Sequence, residues 1–221
     1  MNLIHNGCGD QVGRSWQNFD MSPMLFVERL PFGKLLKRLI GGADYAFLPG
    51  VQFGNIVSAP LVKRGTANAA YASHVLEHLT REDALAAIRN VFEMLAPGGV
   101  FRLIVPDLAW RARLYLSDLD QNSFDASSNF MRSAILGQEF RQPLVRRLRS
   151  MVSGSSHLWM WDYPSMRHAL EAAGFTGVRR CEPGDAQPAE FAEVENRERF
   201  WSHPIGHPTQ RELSIECVKP M

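Results

Sequence analysis

The first twenty residues constrain this chain most. A short apolar stretch, residues 1–6, runs straight into Gly7-Cys8-Gly9-Asp10, and only six residues separate Gly9 from a second one, residues 16–21. If both are strands, the connection holds at most a turn or two of helix, less than the roughly 12 residues a parallel crossover usually needs. Glycines in such a turn let the backbone approach a ligand, and free N–H groups there offer donors to an anionic group. Asp20 closes the second stretch, where it could accept both hydroxyls of a ribose. Gly13 extends the pattern to Gly-x-Gly-x-x-x-Gly. A dinucleotide oxidoreductase, however, wants a full helix after the glycines and an acid about 20 residues on, and Asp20 comes too soon.

Further along, residues 34–40 (KLLKRLI) suit a short amphipathic helix closed by Gly41-Gly42, and residues 52–57 and 69–73 suit strands. Thr80 and Asp83 have capping-box spacing, with Asp in place of the usual Glu or Gln. Leu85, Ile88, Phe92 and Leu95 then recur on one helical face, and Pro97-Gly98-Gly99 stops the helix before a strand at 100–105 that leads into Pro106-Asp107. Residues 108–156 read as irregular helix, with Arg141, Arg146, Arg147 and Arg149 clustered near the end. A helix over 165–173 ends at Gly174, a strand surrounds Val178, and Leu213, Ile215 and Cys217 alternate in a last strand. Strands alternating with helices predict one α/β domain over residues 1–221 with a mainly parallel sheet.

Composition removes several classes of function. The 24 basic and 23 acidic side chains nearly cancel, so no global electrostatic grip on nucleic acid or an anionic membrane is expected. Cys8, Cys181 and Cys217 form no CxxC pair and read as free thiols in a reducing compartment. Without a signal-like N-terminus or a long apolar run, the expectation is a cytoplasmic protein.

Tyr71-Ala-Ser-His-Val-Leu-Glu-His78, the Ala96-Pro-Gly-Gly99 turn and the strand Phe101-Arg-Leu-Ile-Val105 together resemble the S-adenosylmethionine-dependent class I methyltransferases, most of all the group with "HVLEHL" and "LxPGG" signatures. The opening LIHNGCG is similar to that family's first glycine motif, Trp16-Gln-Asn-Phe-Asp20 to its second strand, and Gly54-Asn55 to its Gly-Asp pair. Trp159-Met-Trp-Asp162 and Ala173-Gly-Phe175 fit its C-terminal half, and the short first crossover is characteristic of the group. The chain departs from the family pattern at His5 and Asn55, where acidic residues are usual. The resemblance implies a Rossmann-like fold with a seven-stranded sheet, ending in a reversed strand at 212–218, with residues 108–160 as a helical cover over the acceptor side. It implies S-adenosyl-L-methionine as cofactor, held along Asn6, Gly7, Cys8, Gly9, Asp20 and Met21. Asn55 would face the adenine amino group, while Ser73 and His74 would line the methyl-donor pocket. The expected reaction is O- or N-methylation of a small or medium-sized acceptor, a saccharide hydroxyl among the candidates. The alternative is a catalytically degenerate cofactor-binding module of the same fold. Closure of the pocket would fall to residues 22–50, to the cover, or to a second copy in a homodimer.

Methyl transfer asks the protein to align acceptor, carbon and sulfur, exclude water and sometimes take a proton. Asp107, just past the fifth strand, and His157, ahead of an aromatic run, are the candidate catalytic bases; Asp107 could equally cap the next helix. Trp161 offers an acceptor wall or plain core, and Arg146 with Arg147 a grip on an acidic acceptor or a solvated face. His74-Val-Leu-Glu77-His78 also spells HxxEH, which on a helix is a zinc-hydrolase pattern. Here it directly follows a buried strand and straddles a turn, so no metal is assigned.

Overall fold

The computed structural model describes residues 1–22, 24–33, 47–137, 156–182, 184–186, 188–195 and 212–221. Its centre is a seven-stranded sheet of order β3-β2-β1-β4-β5-β7-β6. The strands are β1 (Leu3–Asn6), β2 (Gln17–Asp20), β3 (Gln52–Phe53), β4 (Ala67–Ser73), β5 (Leu95–Pro106), β6 (Thr176–Cys181) and β7 (Glu212–Val218). The first five are parallel; β7 runs antiparallel between β5 and β6. This is the expected topology, reversed last strand included.

β1 and β2 pair in parallel with only turns between them, so the short crossover holds no helix at all. The strand expected at 52–57 is two residues long, because Asn55 turns the chain by accepting the Val57 N–H on its own Oδ1 at 2.9 Å. An unforeseen helix α1 (Met24–Arg29) follows β2; its Leu25 packs with Cys8 and Val51 against the glycine turn. The helix proposed at 34–40 lies outside the described residues.

Helix α2 (Arg81–Met94) starts where the capping spacing placed it: Thr80 Oγ1 accepts the Asp83 N–H at 3.1 Å and donates to Asp83 Oδ2 at 2.9 Å. The shorter Asp thus turns to the Thr hydroxyl instead of reaching back to its backbone. The helix buries Ala84, Ala87, Ile88, Val91 and Met94, while Leu85 and Phe92 flank the contact. The alanines let α2 settle close to the sheet. Helices α3 (Leu108–Asp120) and α4 (Ala126–Ser133) form the described part of the helical cover. α5 (Tyr163–Ala172) opens with an Asp162–Ser165 capping box.

Alternation along β5 divides the core. Phe101, Leu103 and Val105 face the larger cluster, with α2 and α5 against it; Ile104 faces a smaller one of Leu3, Trp16, Tyr71, Phe191 and Val194. Arg102, fully buried in the middle of β5, breaks that apolar pattern. Its guanidinium donates to both Glu195 oxygens at 2.6 Å, to Asp185 at 2.9 Å, to the Glu182 carbonyl at 2.9 Å and to Glu216 at 3.3 Å.

Candidate functional site

Because β1 to β5 are parallel, their C-terminal ends share one edge. Register puts Asn6 beside Phe19 and Ala72, and Asp20 beside Phe53. Asn6, Asp20, Asn55 and Ser73, scattered in sequence, are therefore neighbours along this edge. Gly7 and Gly9 both have left-handed backbone, φ +67° and +54°. A Cβ on Gly7 would sit 2.3 Å from a Val75 methyl, whereas one on Gly9 would point into open space. Gly7 is thus needed for packing, and Gly9 keeps the edge clear.

The Asp20 carboxylate is held from both sides. The Gly9 N–H donates to Oδ2 at 2.9 Å and the Ser22 N–H to Oδ1 at 2.7 Å. Each oxygen retains a further lone pair for a ligand. Between the glycines, burial first and then the nearby Asp20 charge push the Cys8 thiol up to about 12, so it stays protonated at neutral pH. Met21 is half exposed beside it. Asn55 keeps one oxygen lone pair beyond its turn bond.

Sequence reasoning missed Asn18. Its amide donates to the Gly13 and Trp16 carbonyls at 2.9 and 2.8 Å, and its Oδ1 accepts the Gly13 N–H at 3.1 Å and lies 3.3 Å from His5 Nδ1. His5, packed against Tyr71 and Trp16, thereby braces the glycine loop from below. Gly13 is a close-packing position, since a Cβ there would lie 2.4 Å from Trp16. An Asn inside a short strand carries no signal of this in the sequence.

At the end of β4, His74 turns the chain with φ +53°, an uncommon conformation for a non-glycine residue. Its Nδ1 lies 3.0 Å from Glu77 Oε1. Leu76–His78 is a single 3-10 turn, so His74 and His78 do not share a helical face. His78 instead meets His157, with ring centroids 5.1 Å apart. The Leu158 and Trp159 N–H groups donate to the Glu77 carbonyl, which brings that segment in. His157 is buried, its Nδ1 2.7 Å from the Ala134 carbonyl. Burial lowers its pKa below the ordinary histidine value, against the opposing pull of Glu77, and favours the neutral ring.

Asp107 is also fully buried, and its carboxylate accepts three hydrogen bonds where that of Asp20 accepts two. Oδ1 caps α3 through the Ala109 and Trp110 N–H groups, and Oδ2 pairs with Arg180. Trp161 is 2% exposed and part of the main core, bridged by its backbone to Asp107. Trp159 is the exposed tryptophan here, with the Arg81 guanidinium 5.9 Å from its ring centre. Arg146 and Arg147 lie outside the described residues. Among the described residues no helix is long and apolar enough to cross a membrane.

A family of methyltransferase domains matches residues 18–180, and the chain belongs to it. No curated protein matches. Among solved structures, a chain from the complex between the Haloferax volcanii Trm112 methyltransferase activator and a methyltransferase aligns over 100% of this chain and 82% of its own, at 16% identity and TM-score 0.50. A SAM-dependent methyltransferase from Archaeoglobus fulgidus aligns over 99% and 86%, at 12% identity and TM-score 0.49. The cofactor of this fold is S-adenosylmethionine. The edge fits it: the space above Gly9 is open, and the Asp20 carboxylate has acceptor capacity to spare.

Proposed function

We propose that this protein transfers a methyl group from S-adenosylmethionine to an oxygen or nitrogen of a small or medium-sized acceptor, a saccharide hydroxyl among the candidates. The observation that carries this reading is Asp20, pinned by the Gly9 and Ser22 amides at the open edge of the sheet. The cofactor supplies a methyl already activated by its sulfonium. The chain's own residues do the rest. Asn6, Gly7, Cys8 and Gly9 present backbone at close range; Asp20, beside Met21, accepts ribose hydroxyls; Asn55 meets the adenine. Ser73 and His74 line the methyl side.

His157 is the better placed of the two candidate bases. A ring whose Nδ1 donates to the Ala134 carbonyl carries its lone pair on Nε2, where it can take the acceptor's proton. Asp107 has both oxygens committed, and we assign it to holding the start of α3 against β6. Trp159 forms the exposed wall, with Trp161 as its buried backing, and Arg146 and Arg147 would meet an anionic group on the acceptor.

Calorimetric titration with S-adenosylmethionine and its demethylated product tests the cofactor site. We expect micromolar binding that Asp20→Ala weakens by at least about tenfold, the size of one charge-assisted hydrogen bond. No binding at millimolar ligand would refute the reading.

A further inference from the structure

One ligand atom each from Glu77, His78 and His157 lie within 4.8 Å of one another at the acceptor side of the sheet. The hydrogen bonds around them decide where the protons are. Nδ1 of His78 is 3.2 Å from the Ser156 carbonyl and Nδ1 of His157 is 2.7 Å from the Ala134 carbonyl. A carbonyl only accepts, so each Nδ1 carries the hydrogen and each Nε2 the lone pair. Glu77 is fully buried; Oε1 faces His74, and Oε2 has no hydrogen-bond partner among the described residues. Three lone-pair groups thus gather with no proton to share among them. Glu77 and His157 are buried and His78 partly so, and acceptors gathered in such a place are a natural seat for a cation.

We propose that Glu77, His78 and His157 bind a divalent transition-metal ion of the zinc type. Two imidazoles and one carboxylate are a donor set of open zinc sites, which keep a fourth position for water or substrate. Both histidines already have the support that metal-bound histidines need, a backbone carbonyl on the other ring nitrogen. Ligand atoms around tetrahedral zinc are about 3.4 Å apart, so modest side-chain rotation closes the cluster. The nearby buried cation Arg111 is turned to the Ser133 and Asp107 carbonyls and to Glu212, and carboxylates balance its charge. The site differs from the one spelled by HxxEH. His74 orients Glu77 rather than ligating, and His157 comes from a distant segment.

Resting on the methyltransferase reading, the inference narrows the acceptor to oxygen. A hydroxyl in the ion's open position loses its proton more readily, and that proton leaves to water. With the ion in place the Nε2 lone pair of His157 is spent on the metal, and the ion takes over the deprotonation that His157 performs in the metal-free protein.

The test is zinc titration of the full chain after chelator treatment and dialysis, with S-adenosylmethionine titrated into the same preparations. The expected result is one zinc per chain at micromolar affinity or tighter. Glu77→Gln and His157→Ala should each weaken it by more than about a hundredfold, beyond the usual loss for a supporting residue, with cofactor binding retained. Should a variant misfold and lose both, cobalt binding to His157→Cys decides. A thiolate-to-cobalt charge-transfer band supports the site, and its absence overturns it. Lack of saturable one-to-one zinc uptake in the unaltered chain, or uptake unchanged by the substitutions, also overturns it. Zinc binding without cofactor binding would keep the metal site and sink the methyltransferase reading.

Discussion

Two buried polar clusters stand on the same sheet and could hardly differ more in how their valences are met. Around Arg102, one cation is surrounded by Glu195, Asp185, Glu216 and a carbonyl, and its hydrogens find acceptors. Around Glu77, acceptors outnumber donors and one carboxylate oxygen is left over. The first arrangement is complete in itself and ties the 182–195 segment to the middle of the sheet. The second is complete only with something added. Burial and charge alone do not separate a structural cluster from a binding one; the count of unspent lone pairs does.

Substitution should expose the contrast, and its largest effect falls on the complete cluster. Arg102→Met strands the buried carboxylate of Glu195, while Glu216 keeps Arg179, and should cost about 3–5 kcal/mol in chemical denaturation, as broken buried ion pairs do. A loss below about 1 kcal/mol would break the comparison. Glu77→Gln should cost less, roughly 1–2 kcal/mol without metal, because only the His74 contact on Oε1 is disturbed. The smallest effect is on pH dependence. Burial holds the His157 pKa below its ordinary value of 6.5, so on acidification the unfolded chain takes up the proton first. Stability should therefore be full above about pH 6.5 and decline as pH falls below it, until the folded ring itself protonates. Comparing denaturation midpoints of the unaltered chain and His157→Gln across pH 5 to 8 checks this, the slope shrinking in the variant.

The edge of the sheet that carries the glycine turn was the more legible half of the molecule. Gly7, Gly9 and Asp20 lie within fourteen residues and obey local rules: left-handed turns need glycine, and parallel strands end together. Thr80 and the alternation of β7 were readable for the same reason. The turn after β4 and the segment docked on it were not. His157 meets His78 across 79 residues because two backbone amides dock on the Glu77 carbonyl, and no spacing rule encodes that. Asp107 looked like a base from its position, yet its availability depends on Arg180, one strand further on. Asn55 looked like part of a strand until its side chain turned the backbone. Side chains that bond their own neighbourhood are legible locally; those satisfied from afar are not.

Arg102 also bears on how the chain assembles. The strand is correctly seated only when Arg102 stands level with Tyr71 on one side and Glu216 on the other. A slip of one residue would drive the guanidinium into the opposite, apolar face, so a misaligned sheet is heavily penalised. The groups that accept its hydrogens all lie later in the chain, at 182, 185, 195 and 216. During synthesis, when earlier segments fold first, the buried guanidinium therefore lacks its full set of partners until Glu216 has emerged. The same side chain that locks the finished sheet keeps β5 from settling prematurely, and makes completion of β7 the event that commits the domain to its final pairing.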